Sequence, residues 1–224
     1  MELSEEDKQE VQNRYTNRFK EFGYSPKSLG WNKGKQDIRF DILTSQYNFE
    51  NKRVLDIGCG FGDLNLVLSR KAKKYSYCGI DMVDVLIQKG KEIYQKDDIA
   101  FHTGDFLSHS FDGSFDYAIA SGIFNFKLKD EDNYVYVENV IKKTLEKCRD
   151  GLAFDFISDK VNFKQEGNFN NSPEKILSIA YKYSRNIILR NDYMPFEFSI
   201  FINKDDSFSN DDTVFNHYKN KGLI

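Results

Sequence analysis

The stretch Val54-Leu55-Asp56-Ile57-Gly58-Cys59-Gly60-Phe61-Gly62 decides how this chain is expected to fold. Three of its first four residues are apolar, and together the four are of the kind that makes a buried strand. The three glycines that follow can adopt positive φ and allow the backbone to approach a ligand closely. A helical pattern begins directly afterwards, with Leu64 and Leu68. The stretch therefore predicts a strand, a ligand-binding turn and a helix whose first N–H groups face the ligand.

Short apolar runs alternate with helical patterns on the C-terminal side of this stretch, which indicates a parallel sheet covered on both faces. Helical spacing separates most of these runs, giving the order β-α-β-α-β-β-α-β. The predicted strands cover residues 53–57, 75–80, 99–103, 115–120 and 151–157. Because ligands bind beyond the carboxyl ends of strands in such a sheet, the loops after these strands are the candidate site.

Two further strands are predicted near the end of the chain. A helix begins at Ser172-Pro173, where serine can cap and proline suits the first turn. Strands over residues 186–190 and 196–203 follow, and the short segment 191–195 between them suits a hairpin. The sixth strand is expected to run parallel to the first five.

The first fifty residues lie outside the alternating pattern and predict a helical cap. Ser4 and Asp7 have the spacing of a capping box, and apolar residues at helical spacing follow. A loop with the single tryptophan, Trp31, separates this helix from a second one. We divide a single 224-residue domain into a cap over residues 1–50, a core over residues 51–204 and a polar tail over residues 205–224, which is expected to be loosely held.

Composition excludes several classes of partner. The formal net charge is -3, which offers no basic field for nucleic acid or an anionic membrane. Three widely spaced cysteines predict reduced, mostly buried thiols in a cytoplasmic protein, and no exported or membrane-spanning segment is recognisable. No metal is expected, because Asp155 and Asp159 are insufficient for magnesium and no His or Cys pair has ligand spacing. A monomer or a homodimer is compatible with the sequence.

A glycine turn alone is weakly specific, because dinucleotide-binding enzymes place a similar loop after the first strand. Here the spacing is G-x-G-x-G, no second large domain follows, and the chain ends in the expected hairpin. Residues 53 to about 204 resemble the class I S-adenosylmethionine-dependent methyltransferases. The resemblance implies an α/β fold, namely a Rossmann-like, doubly wound, mostly parallel seven-stranded sheet with a C-terminal antiparallel hairpin and an N-terminal helical lid. It also implies S-adenosyl-L-methionine as cofactor and S-adenosyl-L-homocysteine as product.

The resemblance assigns cofactor contacts to several loops. Asp81 would accept hydrogen bonds from the ribose hydroxyls, or it caps the next helix, and both roles can coexist. Asp105 would accept from the adenine amine, or it is a plain turn residue. Arg39 could pair with the cofactor carboxylate; alternatively Arg39 is a surface residue and Trp31 belongs to the core. The residues expected at the cofactor are Asp56, Gly58, Cys59, Gly60, Asp81, Met82, Gly104, Asp105, Phe106, Ser121, Gly122, Trp31, Gln36 and Arg39, with Tyr15 also facing inward.

The acceptor side is less specified. Methyl transfer from a sulfonium is an in-line displacement, so positioning supplies much of the catalysis, and a base is needed only for a poorly acidic or protonated acceptor. No catalytic residue is assigned, and none of His102, His109 and His217 stands out as a base. The candidates for acceptor contacts are Asn125, Lys127, Asp159 and Tyr193, together with Glu197.

Several segments resemble bacterial methyltransferases found with surface-polysaccharide biosynthesis. They are Gly30-Trp31, Gln36 with Arg39-Phe40, residues 121–125, residues 190–193 and Glu197-Phe198. This resemblance implies O-methylation of a small polar acceptor: a sugar, a nucleotide-linked sugar or a related phosphate derivative. Alternatives are a protein or another small molecule as N- or O-acceptor, a non-catalytic nucleotide-binding module, and an NAD oxidoreductase. The absence of an N/D-P-P-Y/F/W motif after the fourth strand counts against nucleic-acid amino groups.

Overall fold

The computed structural model describes residues 3–31, 35–129, 132–205 and 221–222. These residues form one sheet with helices on both of its faces. The strands are β1 (Lys52–Ile57), β2 (Tyr75–Asp81), β3 (Ile99–Thr103), β4 (Phe115–Ala120), β5 (Cys148–Ile157), β6 (Asn186–Arg190) and β7 (Glu197–Asn203). The helices are α1 (Glu5–Phe22), α2 (Gln36–Leu43), α3 (Leu64–Lys71), α4 (Asp84–Ile93), α5 (Asn133–Lys147) and α6 (Pro173–Ala180), and a short 3-10 helix spans Pro26–Leu29.

The sheet has seven strands in the order β3-β2-β1-β4-β5-β7-β6. β1 to β5 pair in parallel, whereas β7 is antiparallel to both β5 and β6. β6 therefore runs in the same direction as β1 to β5, and the predicted fold and hairpin are confirmed. The strand order reverses between β1 and β4, which is where ligands bind in sheets of this kind.

The core lies on both faces of the sheet, because side chains alternate along each strand. In β1, Leu55 and Ile57 pack with the residues of α5 and α6, while Val54 packs with those of α2 and α3. Burial on both faces explains why apolar residues follow one another directly at Val54-Leu55 in β1 and at Ala118-Ile119-Ala120 in β4.

The start of β5 was misjudged from the sequence. The strand begins at Cys148 and not at residue 151, and it follows α5 without a loop. Arg149 is exposed and Asp150 half-buried, so the first residues lack an apolar pattern although Cys148 pairs with Phe115. Because these first residues are polar, the apolar pattern did not predict that the strand begins at Cys148.

The Ser4 half of the predicted capping box is confirmed, because Ser4 is the N-cap of α1 and its side chain accepts from the Asp7 N–H. The Asp7 N–H donates to Ser4 Oγ at 3.1 Å, and Ser4 Oγ donates to Asp7 Oδ2 at 3.0 Å. The other oxygen, Asp7 Oδ1, accepts from the Lys129 N–H at 3.2 Å, which ties the start of α1 to the segment after β4. The cap is thus attached to the core by a buried carboxylate.

The three cysteines are free and buried, as predicted. No helix within the described ranges is long and apolar enough to cross a membrane. Most of the polar tail, including His217, lies outside the described residues. The expectation that the tail is loosely held therefore stays a prediction.

Phe198 offers a test of the packing between β5 and β7. It is fully buried and stacks on its register partner Phe156 at a centroid distance of 5.1 Å. Phe198→Ala is expected to lower the free energy of unfolding by about 3–5 kcal/mol, through lost apolar burial and a residual cavity. Urea denaturation measures this change. The control Tyr181→Ala, at a 59% exposed position, should change it by less than about 0.5 kcal/mol, and a similar small loss for Phe198→Ala would contradict the packing.

Candidate functional site

A cavity of about 560 Å³ opens at the carboxyl edge of the sheet. Its wall combines the loops after β1 to β5, the turn before β7, and residues of α1 and α2. Every residue expected at the cofactor lies in this wall, and so does Tyr15. They are Asp56, Gly58, Cys59, Gly60, Asp81, Met82, Gly104, Asp105, Phe106, Ser121, Gly122, Trp31, Gln36 and Arg39.

The glycine turn after β1 is fixed by its backbone. The N–H groups of Gly58 and Cys59 both donate to the Ile80 carbonyl, at 2.8 and 3.1 Å. Gly58 has a φ of 69°, and a Cβ there would lie 2.1 Å from Ile123 Cγ2. A side chain at this position would therefore push against the loop that follows β4, and only glycine suits both the φ angle and the space.

Asp81 at the end of β2 holds two loops together. Its Oδ2 accepts from the Gly60 N–H and its Oδ1 from the Val83 N–H, both at 2.9 Å. Burial raises the pKa of the Asp81 carboxyl, and these backbone N–H groups oppose that rise. The alternative that Asp81 caps the next helix is wrong in detail, because α4 begins after its N-cap Val83 and has no side-chain cap, and Asp81 accepts from the N–H of Val83 itself. The ribose role stays a prediction, because each carboxylate oxygen can accept a second hydrogen bond.

Asp105 carries an unused acceptor. Its Oδ1 accepts from the Leu107 N–H at 3.2 Å, whereas Oδ2 is buried and has no hydrogen-bond partner among the described residues. Tyr136 of α5 lies in the same wall, and burial raises the pKa of its phenol, which keeps it neutral. Sequence reasoning missed Tyr136, because its position within an amphipathic helix carries no local signal of a ligand.

Arg39 joins the cap to the turn before β7. Its Nε donates to Glu197 Oε2 at 2.7 Å, its Nη2 donates to Glu197 Oε1, and its guanidinium stacks on the Trp31 ring at 4.0 Å. Arg39 is buried, so the alternative that it is a surface residue is wrong. Its Nη1 has no hydrogen-bond partner among the described residues. Pairing with a cofactor carboxylate stays a prediction, with Nη1 as the group available for it.

The buried Asp155 of β5 holds the loop after β4 through two hydrogen bonds. Ser121 Oγ donates to Asp155 Oδ2 at 2.5 Å, and the Gly122 N–H donates to Oδ1 at 2.7 Å. Gly122 in turn lies against the indole, since a Cβ there would be 2.8 Å from Trp31 Cζ2. Burial raises the pKa of Asp155 to about 6, with Arg39 the first of the groups that oppose the rise. Sequence reasoning considered Asp155 only as a metal ligand and missed this contact.

The acceptor candidates are spread over different environments. Asn125 lies in the cavity wall, where its Oδ1 accepts from the Ile157 N–H at 2.9 Å, and Glu197 lies there too. Lys127 is exposed and outside the wall. Tyr193 is also outside it, with its hydroxyl 2.7 Å from Ser199 Oγ, and Asp159 lies 3.4 Å from Lys160 Nζ. The structure therefore does not bring Lys127, Asp159 or Tyr193 to the cavity.

The described histidines lie away from the cavity. The rings of His102 and His109 are 4.8 Å apart and pack around Phe111, and neither residue lines the wall. Burial lowers the pKa of His109. Within the described ranges, no group of three or more His, Cys, Asp or Glu side chains could hold a metal ion.

Two comparisons of the sequence match methyltransferases. Residues 54–147 match the family model described as a methyltransferase domain. A Mycobacterium tuberculosis H37Rv protein, named as a methyltransferase, is 27% identical over 155 residues, covering 66% of this chain and 91% of that protein.

Two solved structures share the fold. Magnesium protoporphyrin IX methyltransferase from Synechocystis PCC 6803, with S-adenosylhomocysteine bound, has a TM-score of 0.63 at 13% identity, covering 89% of this chain and 100% of that chain. Phosphoethanolamine N-methyltransferase 1 from Haemonchus contortus has a TM-score of 0.62 at 16% identity, covering 91% of this chain and 51% of that chain.

The buried Asp155 predicts a pH-dependent contribution to stability. Because its pKa rises from 3.8 to about 6 on folding, this contribution is fully present below the lower value and is lost as pH rises through the higher one. Asparagine can keep both hydrogen bonds but cannot ionise. The fall in Tm between about pH 4.5 and pH 7 should therefore be smaller in Asp155→Asn than in the unmodified protein.

Thermal unfolding across this pH range measures the effect. Asp155→Ala, which loses both hydrogen bonds, should be less stable than Asp155→Asn by about 1–3 kcal/mol. An identical pH dependence in the unmodified protein and in Asp155→Asn would show that the carboxyl does not titrate as stated.

Proposed function

We propose how this chain, a class I S-adenosylmethionine-dependent methyltransferase, divides its cavity between two ligands. The loops after β1, β2 and β3 hold S-adenosylmethionine. The loops after β4 and β5 and the turn before β7 hold a small polar acceptor. The observation that carries the division is the unpartnered Asp105 Oδ2, because a buried acceptor atom in a cavity wall is suited to a ligand N–H donor.

The residues present fit the cofactor in several ways. Asp105 Oδ2 can accept from the exocyclic amine of adenine, and the Asp81 oxygens have capacity for the ribose hydroxyls. Gly58 and Gly60 have φ angles of 69° and 54°, so no side chain separates the backbone from the cofactor. Arg39 Nη1 is available for the carboxylate.

Catalysis on this proposal is mainly a matter of position. S-adenosylmethionine, when bound, supplies a methyl group activated by a sulfonium. The Ser121–Gly122 loop, held by Asp155, and the Trp31 ring set the passage between the two halves of the cavity. Glu197 is held in place by two hydrogen bonds from Arg39. We therefore expect these residues to orient the acceptor lone pair.

The acceptor we propose is a sugar, a nucleotide-linked sugar or a related phosphate derivative that is O-methylated in surface-polysaccharide biosynthesis. Neutral amides dominate the polar groups on the acceptor side of the wall: Asn125, Gln165, Asn168 and Asn170. Amide groups both donate and accept, which matches hydroxyl groups. The net charge of -3 favours a small molecule over a nucleic acid, and the buried free thiols favour a cytoplasmic location.

Ligand-induced stabilisation tests the cofactor. S-adenosylmethionine and S-adenosylhomocysteine should each raise the Tm, because a ligand that binds only the folded state adds about 2.7 kcal/mol at a hundredfold excess over Kd. NAD should give no such shift in the same thermal-shift assay. Stabilisation by NAD alone would overturn the proposed function.

Asp81 provides a sharper test of the cofactor half. Asp81→Ala removes the acceptor for the ribose hydroxyls and should raise the Kd for S-adenosylhomocysteine at least about tenfold, since hydrogen bonds to charged groups contribute about 1.5–3 kcal/mol. Isothermal titration calorimetry measures the Kd. Asp84→Ala makes the same change of charge in a residue outside the cavity wall and should leave the Kd unchanged. Equal affinities for all three proteins would remove Asp81 from the ribose role.

A further inference from the structure

Residues 158–171, which we call the 158–171 loop, form a closed loop between β5 and α6. Its two ends meet, since the Asp159 N–H donates to the Asn171 carbonyl at 2.9 Å and the Asn171 N–H donates to the Ile157 carbonyl at 2.7 Å. Compact loops with adjoining ends are frequently functional. This one forms part of the acceptor side of the cavity wall.

The middle of the loop is attached through its backbone. The Lys127 N–H donates to the Gly167 carbonyl at 3.2 Å, and the Phe169 N–H donates to the Asn125 carbonyl at 3.0 Å. Side chains add to this attachment, since Asn171 Nδ2 donates to the Phe124 carbonyl at 3.1 Å, and Asn168 Nδ2 donates to Gln165 Oε1 at 3.4 Å within the loop. The apolar side chains of Val161 and Phe163 take no part in these hydrogen bonds and remain available for a ligand.

The side chains that the loop contributes to the cavity are all uncharged. Val161, Phe163 and Gln165 lie in the wall, whereas the intervening Lys164 and the preceding Lys160 do not. Further along, Asn168 and Asn170 also line the cavity. The turn before β7 adds Pro195, Phe196 and a single charged residue, Glu197, which Arg39 neutralises. This side of the wall therefore offers hydrogen bonds and apolar surface with almost no net charge.

Two aromatic rings stand at this side of the wall without being covered. Phe163 is 75% exposed and Phe196 is 42% exposed. Phe196 also has a φ of 69°, a strained conformation for an aromatic residue that is maintained in part by a 2.8 Å hydrogen bond from the Ser158 N–H to its carbonyl. Strained residues of this kind cluster at ligand sites. Exposed rings beside a cavity favour a ligand with an apolar face.

Asn170 supplies a polar group to the same cavity wall. Its Nδ2 donates to the Ser158 carbonyl at 2.8 Å, which fixes the orientation of the amide. Its Oδ1 is buried and has no hydrogen-bond partner among the described residues. A ligand hydroxyl could donate to this oxygen, and the gain would be substantial because the oxygen is otherwise unsatisfied.

We propose that Phe163, Phe196 and Asn170 form the acceptor subsite and that it takes an uncharged pyranose ring, an inference that rests on the proposed function. A pyranose has an apolar C–H face, which packs on the phenylalanine rings, and a rim of hydroxyls, which pair with Asn170, Gln165 and Asn168. A phosphate at this position would meet no cation of the loop in the cavity wall, because Lys160 and Lys164 lie outside the wall. In a nucleotide-linked or phosphorylated acceptor, the anionic part therefore extends away from this side of the wall.

Saturation-transfer NMR of the full chain, with S-adenosylhomocysteine present in excess, tests the subsite. The probes are methyl α-D-glucopyranoside and methyl α-L-rhamnopyranoside, compared with glucose 1-phosphate and catechol. At least one neutral pyranoside should receive saturation. Phe163→Ala and Phe196→Gly should each weaken its binding about threefold to tenfold, the range that one aromatic contact contributes. Tyr181→Ala is the matched control, an exposed aromatic residue outside the wall that should change nothing.

Phe196→Gly is expected to fold, because glycine adopts a positive φ without strain. Calorimetry with S-adenosylhomocysteine then separates the two proposals. Unchanged cofactor affinity together with lost pyranoside binding supports the subsite. Pyranoside binding that survives both substitutions, no pyranoside binding at all, or a preference for glucose 1-phosphate or catechol would overturn the subsite while the proposed function stands. Failure of the unmodified protein to bind S-adenosylhomocysteine would overturn the proposed function itself.

Discussion

The hydrogen bond from the Gly60 N–H to Asp81 Oδ2 is the interaction on which the rest of the site depends. It joins the turn after β1 to the end of β2. The Val83 N–H then adds the start of α4 to the same carboxylate. Asp155 joins the loop after β4 to β5 in the same way. Burial raises the pKa of Asp81 and Asp155. Two buried carboxyl groups thus hold the loops at the carboxyl edge of the sheet, although burial disfavours their charged forms. Carboxyl groups with raised pKa values are typical of ligand-binding sites.

Local pattern was sufficient for most of the fold. The apolar runs that became β1 and β4 are buried on both faces, so composition alone indicated strands. The hairpin of β6 and β7 followed from a connection too short for a crossover. The start of β5 was not predictable in this way. Its first residues pair with β4 but include the exposed Arg149, so pairing and not side-chain burial defines the strand there.

The two halves of the site differ in how far the sequence predicted them. The loops after β1, β2 and β3 reach the cavity within a few residues of each strand, so their positions in the chain determine their positions in space. The acceptor half depends on contacts between distant residues, such as Arg39 with Glu197. Lys127 was predicted to contact the acceptor because it lies two residues after Asn125. Its N–H instead donates to the Gly167 carbonyl, and its side chain is exposed. Adjacency to a motif could not reveal that difference.

The loops proposed to hold the cofactor depend on backbone conformation, and any side chain at Gly58 would collide with Ile123. The 158–171 loop is anchored through backbone groups of residues 159, 167, 169 and 171, while the side chains of Phe163 and Gln165 are not part of that anchoring. On the proposed division of the cavity, substitutions at the latter positions are expected to alter the acceptor surface and to leave the loops after β1 to β3 in place. A fold organised in this way can exchange acceptors by changing a few loop side chains, because the costly part of the site is already fixed elsewhere.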